Sequence, residues 1–166
     1  MHGNIWVSSQ LGEGSTFFFT IPFNPGPRPP LSRKERTDSY AKWKGFNILI
    51  VEDDEASYEL IRAIFEITSI KFSHTKNGNN VLELLQKETF DLILLDIQLP
   101  GKDGFAVAQE IRSGGFKIPI LAQTANAIVA TPEKCRSAGI NDVIIKPFNE
   151  DSLFRKMEKQ VFGRSK

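Results

Sequence analysis

The stretch DLILLDIQLPGKDG, residues 91–104, decides how the rest of the chain is read. Leu92 to Leu95 are four apolar residues in a row. A strand with one solvated face would alternate, so an unbroken run describes a strand covered on both faces, as in a parallel sheet. The run ends on Asp96, and LPGKDG then supplies turn chemistry. A carboxylate therefore stands at the carboxyl end of a buried parallel strand.

Four more short apolar runs lie around it: NILIV at 47–51, IKFS at 70–73, IPILA at 118–122 and VII at 143–145. Amphipathic stretches separate them. Tyr58, Ile61, Ile64 and Phe65 form one helical face, Val81, Leu84 and Leu85 a second, and Phe105, Ala108 and Ile111 a third. A weaker fourth helix is expected over roughly 126–138, stopped by Gly139 as a C-cap. Asn149 is the expected N-cap of the last helix, whose buried stripe is Leu153, Met157 and Val161. Repeated strand–helix units of this kind build an open α/β sheet with right-handed crossovers.

The polar residues collect at one edge of that sheet. Glu52, Asp53 and Asp54 follow the first strand, Asp96 ends the third, Thr124 lies past the fourth, and Lys146 with Pro147 ends the fifth. The carboxyl edge of an open α/β sheet is where ligands bind. Clustered carboxylates repel one another, and a hard divalent cation such as Mg²⁺ resolves the repulsion while leaving room for a phosphate. A carboxylate beside Mg²⁺ can act as nucleophile and form an aspartyl-phosphate. A lysine and a hydroxyl can then hold the phosphoryl oxygens. Each residue has a bland explanation when taken singly: acidic residues after strands cap helices, and threonines end strands. Their convergence on one edge is what outweighs those explanations.

ILIVEDD, DLILLDIQLPGKDG, PILAQTANA and IIKPF occur in the order and at the spacing that make residues 46–163 closely resemble a response-regulator receiver domain. The resemblance implies a flavodoxin-like, doubly wound, five-stranded parallel sheet of order 2-1-3-4-5, an order that general accounts of this fold illustrate with a receiver. It also implies roles. Asp96 is the phosphoacceptor. Asp53 ligates Mg²⁺ directly, Glu52 assists through water, and the backbone carbonyl of Gln98 completes the shell. Thr124 and Lys146 meet the phosphoryl group, and the bond to Pro147 is expected to be cis. Val143 stands where many receivers carry an aromatic switch, so output is expected to rest on backbone motion around Thr124 and the fourth helix. Gln98 and Asn126 occupy positions that tune phosphoryl lifetime. The stretch TANAIVATPEKCRSAG is similar to receivers of hybrid histidine kinases, and Cys135 fits it as a buried small residue.

The front of the chain fits the same origin. Asn4–Ser8 and Ser15–Phe23 read as a β-hairpin around LGEG. GEGST resembles the last glycine box of a histidine-kinase ATP-binding domain, so residues 1–23 are expected to be a remnant hairpin of that domain. A lone hairpin is marginal in water. This one leaves Phe17, Phe18, Phe19 and Ile21 with little to pack against, which invites self-association and gives no ATP site. Residues 24–45, with four prolines and a mixed-charge run, read as a linker.

The expected function is that of a phosphoacceptor receiver in a two-component phosphorelay, the C-terminal part of a hybrid sensor kinase. It takes a phosphoryl group from a phosphohistidine with Mg²⁺. The partners are a kinase phosphohistidine domain or a histidine phosphotransfer domain, and the chain's own chemistry is at most self-phosphorylation and self-dephosphorylation. The alternatives are an interaction module independent of phosphorylation and an aspartyl-phosphate phosphohydrolase. The latter family wants an acid where Gln98 stands. A net charge of +1 gives no basic surface for nucleic acid. No apolar run is long enough to span a membrane, and one cysteine cannot form an intramolecular disulfide. The cytoplasm is the expected setting, also for the receiver of a membrane-anchored parent.

Overall fold

The computed structural model describes residues 3–22 and 40–163. They belong to two compact units that divide between residues 35 and 36.

The first unit is an antiparallel hairpin of β1 (Ile5–Gln10) and β2 (Gly14–Phe19), registered Ile5 to Phe19 and Gln10 to Gly14. Gly12 and Gly14 both adopt positive φ, 85° and 110°, which is why the turn carries glycine at those two places. Trp6 and Phe18 are a directly opposed pair and stack with centroids 5.4 Å apart. Phe17, Phe19 and Ile21 are exposed, as the sequence pattern predicts. Phe23, the last residue of the expected hairpin, lies outside the described residues.

In the second unit, strands and helices alternate: β3 (Asn47–Val51), α1 (Glu55–Glu66), β4 (Lys71–Thr75), α2 (Val81–Lys87), β5 (Leu92–Asp96), α3 (Gly104–Ser113), β6 (Ile120–Thr124), α4 (Pro132–Ala138), β7 (Asp142–Ile145) and α5 (Glu150–Val161). The five strands pair in parallel in the order β4-β3-β5-β6-β7, the doubly wound 2-1-3-4-5 order. The central strands β5 and β6 are buried at every position. Alternate residues feed two cores. Leu49, Val51, Ile93, Leu95, Ile120 and Ala122 face α2, α3 and α4. Ile48, Ile50, Leu92, Leu94, Leu121 and Ile144 face α1 and α5.

Local chemistry sets the ends. Asp54, Asp103, Thr131 and Asn149 cap α1, α3, α4 and α5 through side-chain oxygens that accept backbone N–H bonds. Several boundaries differ from the sequence pattern; in the hairpin, β1 runs to Gln10 rather than Ser8 and β2 covers Gly14–Phe19 rather than reaching Phe23. β6 begins at Ile120 rather than 118, because Pro119 has no N–H for the ladder; its carbonyl accepts from Ile93 instead. α4 begins at Pro132 rather than near 126, because the Thr131 cap and proline in the first turn fix its start. β4 runs two residues further, to Thr75.

The largest difference concerns the expected linker, 24–45. Its residues 24–39 lie outside the described residues, but Tyr40 to Gly45 belong to the folded unit. A 3₁₀ turn at Ala41–Trp43 inserts Trp43, fully buried, among Phe46, Phe154 and Phe162 at centroid distances of 5.4, 5.7 and 5.1 Å. The Tyr40 ring packs tilted against Phe154, with centroids 4.8 Å apart. Among the described residues no helix is long and apolar enough to cross a membrane.

Candidate functional site

Glu52 follows β3 and Asp96 ends β5, one residue beyond the ladder pair Val51 and Leu95. The two carboxylates are therefore neighbours on the α1/α5 face. The chain returns from β7 with Lys146, whose Nζ lies 2.5 Å from Glu52 Oε2 and 2.6 Å from Asp96 Oδ2. It also reaches Ser57 Oγ at 3.4 Å. Glu52 is fully buried and Asp96 nearly so, so one ammonium bridges two carboxylates in a largely dry setting. Burial pushes the Glu52 carboxyl up to about 7, against the pull of Lys146 and with added repulsion from Asp96. Burial works against charge on Lys146 too, but its bonds to Asp96 and Glu52 prevail and raise it above the ordinary lysine value.

Asp53, half-buried, completes the acidic group: one oxygen each from Glu52, Asp53 and Asp96 lie within 4.8 Å of one another. Such a set of carboxylate oxygens fits a hard divalent cation. Asp54, next along the chain, does different work. Its carboxylate accepts from the Ser57 N–H at 2.8 Å, a bond that lowers its pKa while it starts α1.

The loop after β5 is tied to Asp96. The Gln98 N–H donates to Asp96 Oδ1 at 2.7 Å. Gly104 begins α3 hard against the same loop: a Cβ there would lie 2.3 Å from the Asp96 carbonyl oxygen and 2.7 Å from Ile97 Cα. Thr124 is fully buried, and its hydroxyl oxygen accepts from the Asn126 N–H at 3.1 Å, so the hydroxyl is held in its own turn. Lys146–Pro147 is a cis peptide bond. Val143 packs, partly buried, against the core beneath α2, α3 and α4. It lines a surface hollow with Ala130, Pro132 and Cys135. Cys135 is itself buried, which pushes its thiol up and away from reactivity.

Glu52, Asp53, Asp96, Gln98 and Lys146 thus meet at one end of the sheet, with Thr124 ending the adjacent strand β6. The response regulator receiver domain model matches residues 48–158. The chain belongs to this family. The LuxQ autoinducer 2 sensor kinase/phosphatase of Vibrio vulnificus is 34% identical over 159 residues, 92% of this chain and 18% of LuxQ. The aerobic respiration control sensor ArcB of Escherichia coli is 30% identical over 166 residues, 96% of this chain and 20% of ArcB. This chain therefore spans about a fifth of the length of these relatives. The receiver domain of the sensor histidine kinase PA1611 from Pseudomonas aeruginosa superposes with a TM-score of 0.65 at 32% identity, covering 71% of this chain and 98% of that one. That structure holds a magnesium ion coordinated in its active-site cleft.

Two polar residues beside the receiver site escape a motif-based reading. Ser57 lies a turn into α1, where nothing in the pattern sets it apart. Gln123 does carry a signal: it is the one glutamine in ILAQT, inside a strand that must be buried on both faces.

Proposed function

We propose that this receiver accepts a phosphoryl group on Asp96 from a phosphohistidine, with Mg²⁺ held by Asp53, Asp96, the Gln98 carbonyl and, through water, Glu52. The observation that carries this reading is the Lys146 ammonium, seated between Glu52 and Asp96 beside a third carboxylate. In the transfer, an Asp96 carboxylate oxygen attacks phosphorus and a P–O bond forms. The P–N bond breaks, and its electron pair returns to the imidazole nitrogen. Mg²⁺ supplies charge neutralisation among the carboxylates and phosphoryl oxygens. Lys146 follows the phosphoryl group and neutralises it, while the Thr124 hydroxyl leaves its turn to bind a phosphoryl oxygen. That exchange shifts the loop before α4 and is read on the α4–β7–α5 face, with Val143 in place of an aromatic switch.

The donor helix has a surface to meet. Ala56, Leu60 and Ala63 of α1 and Ile67 at its C-cap form an exposed apolar stripe. It continues into a groove lined by Ala125, Lys146, Pro147 and Phe148, so the groove ends at the lysine of the site. A helix carrying a phosphohistidine fits there, from a kinase or from a histidine phosphotransfer domain. The matches to LuxQ and ArcB span 92% and 96% of the chain, further than the receiver alone, which supports reading residues 1–23 as kinase-derived. On this reading the receiver works in the cytoplasm, where a kinase has ATP.

The test is label transfer from a purified phosphorylated histidine phosphotransfer domain with Mg²⁺. Wild-type protein should take up label while Asp96→Asn does not. Equal labelling of the two would reject Asp96 as acceptor.

A further inference from the structure

Gln123 is fully buried, and neither its side-chain nitrogen nor its side-chain oxygen has a hydrogen-bond partner among the described residues. Burying both ends of an amide unpaired is costly, and folded proteins seldom leave it so. The place is specific. Gln123 is the register partner of Asp96 on one side and of Ile144 on the other. Residues paired in parallel strands share a face, so Gln123 stands on the α1/α5 face in the row that holds Glu52, Asp96 and Ile144. Its neighbours two residues away along that face, and on the next strand, are Leu121 and Ile144, both core residues. An apolar side chain would suit that setting better than an amide.

We propose that Gln123 is a positioning residue for phosphoryl transfer, an inference that rests on the phosphoacceptor reading above. In the present state Lys146 satisfies Asp96 Oδ2 and Glu52 Oε2, and the Gln98 N–H satisfies Asp96 Oδ1. The amide of Gln123 makes no hydrogen bond to either carboxylate in this arrangement. Once Asp96 carries a phosphoryl group, Lys146 follows the new oxygens and the Asp96–Glu52 pair loses a donor. Strands lie about 4.8 Å apart, a spacing a glutamine side chain spans. A rotation of Gln123 then lets its NH₂ donate to the oxygen that Lys146 vacates. The amide has no protein partner among the described residues here and gains one in the phosphorylated state, which biases the equilibrium toward phosphorylation.

Beryllofluoride with Mg²⁺ is the probe. In wild-type protein, the Gln123 side-chain NH₂ signals, followed by NMR and assigned through their own backbone, should shift and exchange more slowly with water on its addition. In Gln123→Leu and Gln123→Met, the dissociation constant for beryllofluoride should rise about three- to tenfold, the loss of one hydrogen bond. The urea midpoint of the free protein should stay at or above wild type, because an unpaired amide has been removed. Unmoved NH₂ signals, or variant affinity within twofold of wild type, overturn the proposal. So does an affinity that falls only in step with the midpoint, the mark of a purely structural residue. Wild-type protein that ignores beryllofluoride would refute the phosphoacceptor reading and this proposal together; wild-type binding with unmoved signals refutes this proposal alone.

Discussion

Replacing Trp43 by alanine tests whether the folded unit begins before β3. Its side chain is fully buried between Phe46, Phe154 and Phe162, with centroids 5.1 to 5.7 Å away. Truncating a tryptophan in a core costs about 3–5 kcal/mol, through lost transfer free energy and the cavity left behind. The indole Nε1–H is buried without a hydrogen-bond partner among the described residues, so removing it relieves part of the loss. The expected cost is therefore about 3 kcal/mol, a large share of the ~5–15 kcal/mol typical of a domain. Trp43→Phe separates the two contributions. It keeps a ring against its neighbours and removes the unpaired N–H, so it should cost about 1 kcal/mol or less. Urea denaturation followed by far-UV circular dichroism measures both, with equal slopes expected for all three proteins. A Trp43→Ala cost under about 1 kcal/mol would refute the reasoning and return residues 40–45 to the linker.

Other outcomes follow from the site and its supports. Without metal, Lys146→Met should destabilise the protein by about 3–5 kcal/mol, because two buried carboxylates lose their cation. Adding Asp96→Asn should recover much of that in a urea double-mutant cycle, and simple additivity would argue against the bridge. Gly104→Ala should cost about 1–3 kcal/mol and weaken Mg²⁺ binding, since a Cβ there meets backbone at 2.3 Å rather than a movable side chain; calorimetry gives both. Asp142 is held below the ordinary carboxylate range: burial pulls it up, but bonds from Lys156 and the Val143 N–H and the charges of Lys156 and Lys159 prevail. Its contribution is therefore present above the unfolded pKa and lost as pH falls through the lower folded value. Asp142→Asn should cost about 1 kcal/mol at pH 7 in thermal unfolding, and the difference from wild type should shrink as the pH is lowered below the ordinary carboxylate range.

Much of the fold and of the site is legible in the sequence. Unbroken apolar runs such as LILL mark strands covered on both faces, and that topology alone gathers Glu52, Asp53, Asp96 and Lys146 at one edge. What escaped has physical reasons. Trp43 sits in a polar, proline-led stretch with no periodicity, and its burial depends on Phe154 and Phe162, more than a hundred residues away in the sequence. The start of β6 turns on one missing N–H at Pro119, and that of α4 on the Thr131–Pro132 cap. Gln123 shows as an anomaly in ILAQT, yet its row beside Asp96 exists only once β5 and β6 are paired in register. The bridge of Lys146 to both Glu52 and Asp96 is likewise a matter of distances that spacing along the chain does not contain.

The central claim is that Asp96 is the phosphoacceptor. The most direct measurement is intact mass and peptide mapping after incubation with phosphoramidate and Mg²⁺. The expected result is a mass gain of one phosphoryl group, located on the peptide containing Asp96, sensitive to hydroxylamine, lost on chelation of Mg²⁺ before addition of the donor, and absent from Asp96→Asn. A phosphoryl group on another residue, or equal modification of Asp96→Asn, would contradict it.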